Sequence, residues 1–359
     1  MAQANQHGGN VLDMALAFGM DETSIVDFSA NINPLGMPAS LKRALNAQWS
    51  LAERYPDPLY RRLHARLAAQ HGCPASWVLA GNGATELIYD LAFLLRGKTV
   101  LLLTPGFAEY RLALEGMDCR IREYPLAEQD DFRPDRRLLA ALRPGIDCLF
   151  LCSPNNPTGQ LIEPDLMQDI ALRCREMAIT LVVDEAFMDF IADGVSMVDS
   201  LANFPNVFVL RSLTKFYAIP GLRLGYMVSS DGQAVARLRE RRPPWTLNAF
   251  AALAGEVVLD DVGYQRDSWH WLRRQQAYLF TGLNALPALK VWRPAANYIF
   301  FRCLRPGLDL QALLLPRGLL IRSCANYPGL SADYYRVAIK GAADNRRLLD
   351  AMGSVLAHG

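Results

Sequence analysis

Five short apolar runs in this 359-residue sequence each lead into residues that could do chemistry. "SWVLAG" runs into Asn82-Gly83-Ala84-Thr85-Glu86, and "TVLLLTP" into Gly106-Phe107. "DCLFLC" leads to Ser153-Pro154-Asn155-Asn156-Pro157-Thr158-Gly159, and "TLVV" to Asp184-Glu185. "NVFVLR" leads to Ser212-Leu213-Thr214-Lys215, with Arg223 eight residues further on. The set comprises an amine, a carboxylate behind an apolar run, an amide, an aromatic ring and an anion cradle at a helix start. Taken singly, each piece is ordinary. Asp-Glu after a strand often caps a helix, "GNG" is a common turn, and a lone lysine is usually solvated. Their joint occurrence, in this order, carries the functional reading.

One cofactor asks for the whole set. Pyridoxal phosphate needs a lysine for its aldehyde and a carboxylate for its pyridine nitrogen. It also needs donors at a helix N-terminus for its phosphate, a ring to stack on its face and a donor to its phenolic oxygen. Asp184 would keep the pyridine nitrogen protonated, because an opposite charge favours the charged form.

The elements that must position these residues follow from periodicity. Short apolar strands alternate with amphipathic helices from about residue 38 onward, which predicts a mostly parallel sheet, covered on both faces, of seven strands. Helices are expected over 37–48, 59–72, 82–97, 108–116, 134–144 and 164–177. Pro243-Pro244 punctuates the chain, and a long helical stretch is expected over roughly 247–285. "NYIFFRC", "GLLIRSC" and "YYRVAI" then read as strands of a smaller α+β unit. The expected division is an N-terminal arm over 1–37, a large α/β domain over 38–243 and a small α+β domain over 244–359. The first thirty residues are not expected in the large sheet.

Bulk properties exclude several classes. A net charge of +1 gives no sign of nucleic acid or an anionic membrane as partner. No apolar run reaches the ~18 residues that span a bilayer, and "MAQANQHGGN" has no signal-peptide pattern. The seven cysteines include no CxxC and read as core thiols in a reducing, cytoplasmic compartment, Cys148 and Cys152 pointing the same way. The five histidines show no ligand spacing, so no metal site is expected.

"AGNGATE", "SPNNPTG", "VVDEAF" and "SLTKFYAIPGLRLGY" resemble the signature of fold-type-I pyridoxal-phosphate enzymes, in the class II aminotransferase branch. "HGGN", "DFSANINPLGMP", "ERYPDPLY", "PGFAEY" and "IRSCANYPGL" narrow the resemblance to the threonine-phosphate decarboxylases of cobalamin biosynthesis. The resemblance implies decarboxylation of L-threonine O-3-phosphate by a homodimer with shared active sites. It implies that Lys215 binds the cofactor aldehyde, that Asp184 partners the pyridine nitrogen, that Asn156 serves the phenolic oxygen and that Phe107 stacks on the ring. By the same likeness Ala84 and Thr85, with Ser212, Thr214 and Arg223, hold the phosphate, and Tyr55 reaches it from the neighbouring subunit. Arg336 then takes the substrate carboxylate, Arg322 is a second arginine for the substrate phosphate, and His7, Gly8 and Asn31 fold over the substrate. One departure is Phe187, where many members carry a tyrosine and so a second donor to the phenolic oxygen. Decarboxylation rests on the resemblance. A histidinol-phosphate-type aminotransferase and, more remotely, a cofactor-binding regulator remain as alternatives, although neither end carries the basic cluster a DNA-binding extension would need.

Overall fold

The computed structural model describes residues 8–358. Its centre is a seven-stranded sheet of β1 (Val78–Asn82), β2 (Thr99–Thr104), β3 (Arg120–Pro125), β4 (Cys148–Cys152), β5 (Thr180–Asp184), β6 (Val207–Ser212) and β7 (Leu224–Val228). The spatial order is β1-β7-β6-β5-β4-β2-β3, and β7 alone runs against its neighbours. The mostly parallel sheet expected from the sequence is therefore present. β4 and β6 are buried at every position, as strands covered on both faces should be. β3 is an edge strand and carries exposed Arg120, Arg122 and Glu123, which guard its open side.

Alternation along the strands feeds two separate cores. Leu149, Leu151, Leu181, Val183, Val207 and Val209 join one; Cys148, Phe150, Cys152, Val182, Phe208 and Leu210 join the other. Cys148 and Cys152 do point the same way. Each fully buried Leu or Val here contributes about 1.5–3 kcal/mol relative to exposure.

Beyond the sheet, the long helical stretch expected over roughly 247–285 is made of two helices, Ala249–Val258 and Val262–Asn284. Asp261 is the reason, because its side chain accepts from the Tyr264 N–H at 3.0 Å and starts a new helix. The helix expected over 134–144 shrinks to Leu138–Ala141, since Asp135 accepts the Arg137 N–H at 2.8 Å in a local turn.

A second, antiparallel sheet contains β8 (Leu289–Val291), β9 (Tyr298–Cys303), β10 (Arg322–Ser323) and β11 (Tyr334–Ala338) in the order β10-β11-β9-β8. "GLLIRSC" is not one strand. Leu319–Leu320 pairs in parallel with Val26–Asp27, and only Arg322–Ser323 enters the second sheet. The N-terminal segment is thus stitched to the C-terminal part of the chain rather than to the large sheet. Phe28 completes the stitch: its N–H donates to Leu320 O at 2.8 Å and its carbonyl accepts from the Ala338 N–H at 2.7 Å.

Candidate active site

β1, β2, β4, β5 and β6 end on one edge of the large sheet, and β7 begins there. A cleft of about 740 Å³ lies at this edge. Its wall gathers Gly8, Asn31, Ala84, Thr85, Phe107, Asn156, Asp184, Ser212, Thr214, Lys215, Arg223 and Arg336. Arg322 is not on the wall but is buried beside it, directly paired with Arg336 across β10 and β11. Tyr55 lies elsewhere, 78% exposed and packed against Trp245 with ring centroids 4.5 Å apart. His7 lies outside the described residues.

Lys215 sits in the helical turn Leu213–Phe216 that follows β6. Its Nζ donates to Ser212 Oγ at 3.1 Å, and that hydroxyl pairs with Thr214 Oγ1 at 2.8 Å. Burial pushes the amine's pKa down, and the charges of Arg223 and Arg336 add to the lowering against the pull of Asp184. The lowering favours the neutral, nucleophilic form of the amine. Asn33 holds the turn from the N-terminal segment: its N–H donates to Lys215 O at 3.0 Å and its Nδ2 to Phe216 O at 2.9 Å.

Asp184 closes β5 and is 5% exposed. Burial pushes its carboxyl pKa up, while the Tyr110 hydroxyl, the Lys215 charge and the Ala186 N–H pull it back. The Tyr110 hydroxyl donates to Oδ2 at 2.5 Å and the Ala186 N–H to Oδ1 at 2.9 Å, so the carboxylate plane is fixed. Tyr110 was not singled out in the sequence. Its signal is the three-residue spacing from Phe107 at the start of a helix, which puts both rings on one side. They meet edge to face, centroids 5.6 Å apart.

The two asparagines of "SPNNPTG" have different work. Asn155 frames the loop, its Nδ2 donating to Pro105 O at 3.2 Å and Thr158 Oγ1 at 2.9 Å. Asn156 faces the cleft, and its Oδ1 accepts from the Tyr327 hydroxyl at 3.2 Å and from Arg336 Nη1. With Oδ1 taken by two donors, the free end of the amide is its Nδ2 donor. Arg336 also donates from Nη2 to Ser29 O at 2.8 Å, while its buried Nε has no hydrogen-bond partner among the described residues. Arg322 donates to Asn326 Oδ1 at 2.8 Å and lies 5.6 Å from the centre of the Tyr327 ring. Phe187 brings no hydroxyl; it packs on Tyr298 and lies 5.3 Å from Lys215 Nζ.

The cradle is built by leaving side chains out. The helix Gly83–Leu94 presents its first amides, at Ala84 and Thr85, without a side-chain cap. Gly83 has φ +78°, and a Cβ there would stand 2.5 Å from Arg223 Nη2. A Cβ on Gly225 would press within 2.4 Å of the Ala84 nitrogen. Open amides, two hydroxyls and a guanidinium fit a phosphate. Asp184, Asn156, Phe107 and Lys215 fit the ring and aldehyde of pyridoxal phosphate, so the residues present suit that cofactor.

Behind the sheet lies an ion network absent from the sequence reading. Arg211 donates from Nη1 to Glu185 Oε2 at 2.9 Å and from Nη2 to Asp189. The Ser196 hydroxyl and the Met197 N–H complete Glu185. Glu185 follows Asp184 and Arg211 precedes Ser212, so the network braces the ends of β5 and β6 from the far face.

A model of the family "Aminotransferase class I and II" matches residues 23–352. The chain is 53% identical, over 98% of its own length and 96% of the other's, to the threonine-phosphate decarboxylase of Salmonella typhimurium. It is 30% identical over 98% of its length to an adenosylcobalamin biosynthesis bifunctional protein of Leptospira interrogans, of which it spans 41%. The histidinol-phosphate aminotransferase from Clostridium acetobutylicum superposes with a TM-score of 0.88 at 29% identity, covering 92% of this chain and 99% of that one. Fold, cleft and likeness agree: the chain belongs to the pyridoxal-phosphate-dependent class I and II aminotransferase family.

Proposed function

We propose that this chain decarboxylates L-threonine O-3-phosphate to (R)-1-amino-2-propanol O-2-phosphate, the aminopropanol linker of cobalamin biosynthesis. The observation that carries the proposal is the pair Arg322–Arg336, buried side by side against a cleft that also holds Lys215 and Asp184. A substrate with both a carboxylate and a phosphate calls for two such guanidinium groups. The identity to the Salmonella typhimurium enzyme supports the substrate, and the Leptospira interrogans relative supports the pathway.

Bound pyridoxal phosphate supplies an aldehyde for an amine and a protonated ring that accepts the electron pair left when the bond from Cα to the carboxylate breaks. The protein's residues choose that bond. Arg336 and Arg322 clamp the two anions and so fix rotation about the amine, which decides which Cα substituent is held upright. Asp184 holds a proton at the pyridine nitrogen, and Tyr110 holds Asp184. Asn156 Nδ2 serves the phenolic oxygen without help from Phe187. Lys215 Nζ, with its pKa lowered by burial, would take up the proton that the substrate ammonium gives up on binding and deliver it to Cα in the place the carboxylate leaves.

The proposal includes an arm over 1–37, a large domain over 38–243 and a small one over 244–359. It also includes a cytoplasmic homodimer in which Tyr55 serves the neighbour's cofactor phosphate and His7 closes over the substrate. Exposed Trp49, Tyr55 and Trp245 support a covered surface there, and seven free thiols support a reducing compartment. A histidinol-phosphate aminotransferase is the second reading, favoured by the Clostridium acetobutylicum likeness. Carbon dioxide release from threonine phosphate, measured beside oxo-acid conversion with histidinol phosphate and 2-oxoglutarate, separates the two. Amino transfer without gas would overturn the decarboxylase.

A further inference from the structure

We propose that Tyr327 is a positioning residue that ties substrate-anion recognition to the asparagine serving the cofactor's phenolic oxygen. The inference rests on the cofactor reading of the cleft and deepens it. Tyr327 lines the cleft, is 6% exposed, and donates its hydroxyl to Asn156 Oδ1 at 3.2 Å. The same oxygen accepts from Arg336, the arginine for the substrate carboxylate. The face of the Tyr327 ring supports Arg322, the arginine for the substrate phosphate. One side chain therefore touches, or shares an acceptor with, both substrate arginines and the cofactor-facing amide.

The consequence for Asn156 is directional. An amide can present either its oxygen or its nitrogen to the cofactor. Two donors on Oδ1 commit that oxygen to the protein and leave Nδ2 for the phenolic oxygen. In this chain the commitment matters more, because Phe187 offers no second donor. Remove the Tyr327 hydroxyl and Arg336 alone orients the amide, so the donor on the phenolic oxygen loosens. A weaker donor leaves more negative charge on that oxygen, which holds the neighbouring proton of the lysine-bound chromophore more tightly.

The test is a visible-absorbance pH titration of the cofactor-loaded protein without substrate. Tyr327→Phe is expected to raise the pH at which the chromophore loses its proton by about half a unit. Tyr334→Phe, which removes a phenol bound to Glu128 Oε2 outside the cleft, is expected to leave the titration in place. With threonine phosphate, Tyr327→Phe keeps the ring under Arg322 but removes the hydroxyl beside that guanidinium, so kcat should fall about three- to tenfold with a smaller rise in KM. Tyr327→Ala also removes the ring and should raise KM further. An unchanged titration in Tyr327→Phe overturns the inference, even if activity falls, because Tyr327 would then be only a wall. A shifted titration in a protein that releases no gas would leave the inference standing and sink the decarboxylase reading alone.

Discussion

Asp184→Asn separates what the cleft does for chemistry from what it does for stability. The amide can keep both present contacts, giving Oδ1 to the Ala186 N–H and Nδ2 to the Tyr110 hydroxyl oxygen. What it loses is charge. A carboxylate and a pyridinium at hydrogen-bond distance, ~3 Å, attract by about 5 kcal/mol at an effective dielectric of ~20. If a neutral hydrogen bond recovers about 1 kcal/mol, the loss of about 4 kcal/mol slows turnover roughly a thousandfold. Stability should move the other way in the cofactor-free protein. Burial raises the Asp184 pKa, so the native state resists its ionisation and stability is lost as pH rises from the ordinary carboxylate range through the raised value. The cofactor-free variant should therefore melt no lower than the parent at pH 7, with the difference gone near pH 3. Gas release under saturating substrate and cofactor, with melting curves of both forms, is the assay. Turnover within tenfold of the parent would falsify the assignment of Asp184 to the pyridine nitrogen.

The two arginines should divide the substrate. Arg322→Ala is expected to weaken threonine phosphate by about tenfold or more in kcat/KM and plain threonine little, whereas Arg336→Ala harms both; equal effects on the two substrates would refute the division. Mixing Tyr55→Phe chains with Lys215→Ala chains should generate heterodimers with one intact site, and an active monomer in sedimentation would refute the sharing. His64 accepts the Ala80 N–H at Nε2 and donates from Nδ1 to Leu59 O, and burial lowers its pKa to about 4. Its share of stability, up to about 3 kcal/mol, is full above pH 6.5 and lost as pH falls towards 4. Urea denaturation at pH 7 and 4.5 should show a smaller difference in His64→Gln than in the parent; an identical difference would remove His64 as the cause.

Six strands of the large sheet were legible because each is a compact apolar run between helical patterns; β3, with Arg120, Arg122 and Glu123, was legible only as a short segment with Ile121 and Tyr124 between two helical patterns. The reversal of β7 was not, since direction leaves no mark on a buried run. Strand-end chemistry showed Lys215, Asp184 and Asn156, whose residue types are distinctive where they stand. Tyr110 and Tyr327 stayed hidden because their partners lie 74 and 171 residues away in the chain. Ile321 divides two pairings that look like one strand, because Leu319–Leu320 and Arg322–Ser323 follow each other with no turn residue between them and only the fold separates their partners.

The alternation of Asp184 with Glu185 and of Arg211 with Ser212 has a bearing on how such a chain can diverge. Neighbouring positions serve opposite faces: Asp184 and Ser212 line the cleft, while Glu185 and Arg211 form the brace behind it. A single-residue deletion within β5 or β6 exchanges the two sets at a stroke, sending a brace residue into the cleft and an unpaired cleft residue into the core. A point substitution on the cleft face leaves the brace whole. New chemistries on this scaffold are therefore reachable by exchanging letters, while changes of length are confined to the loops beyond the strand ends.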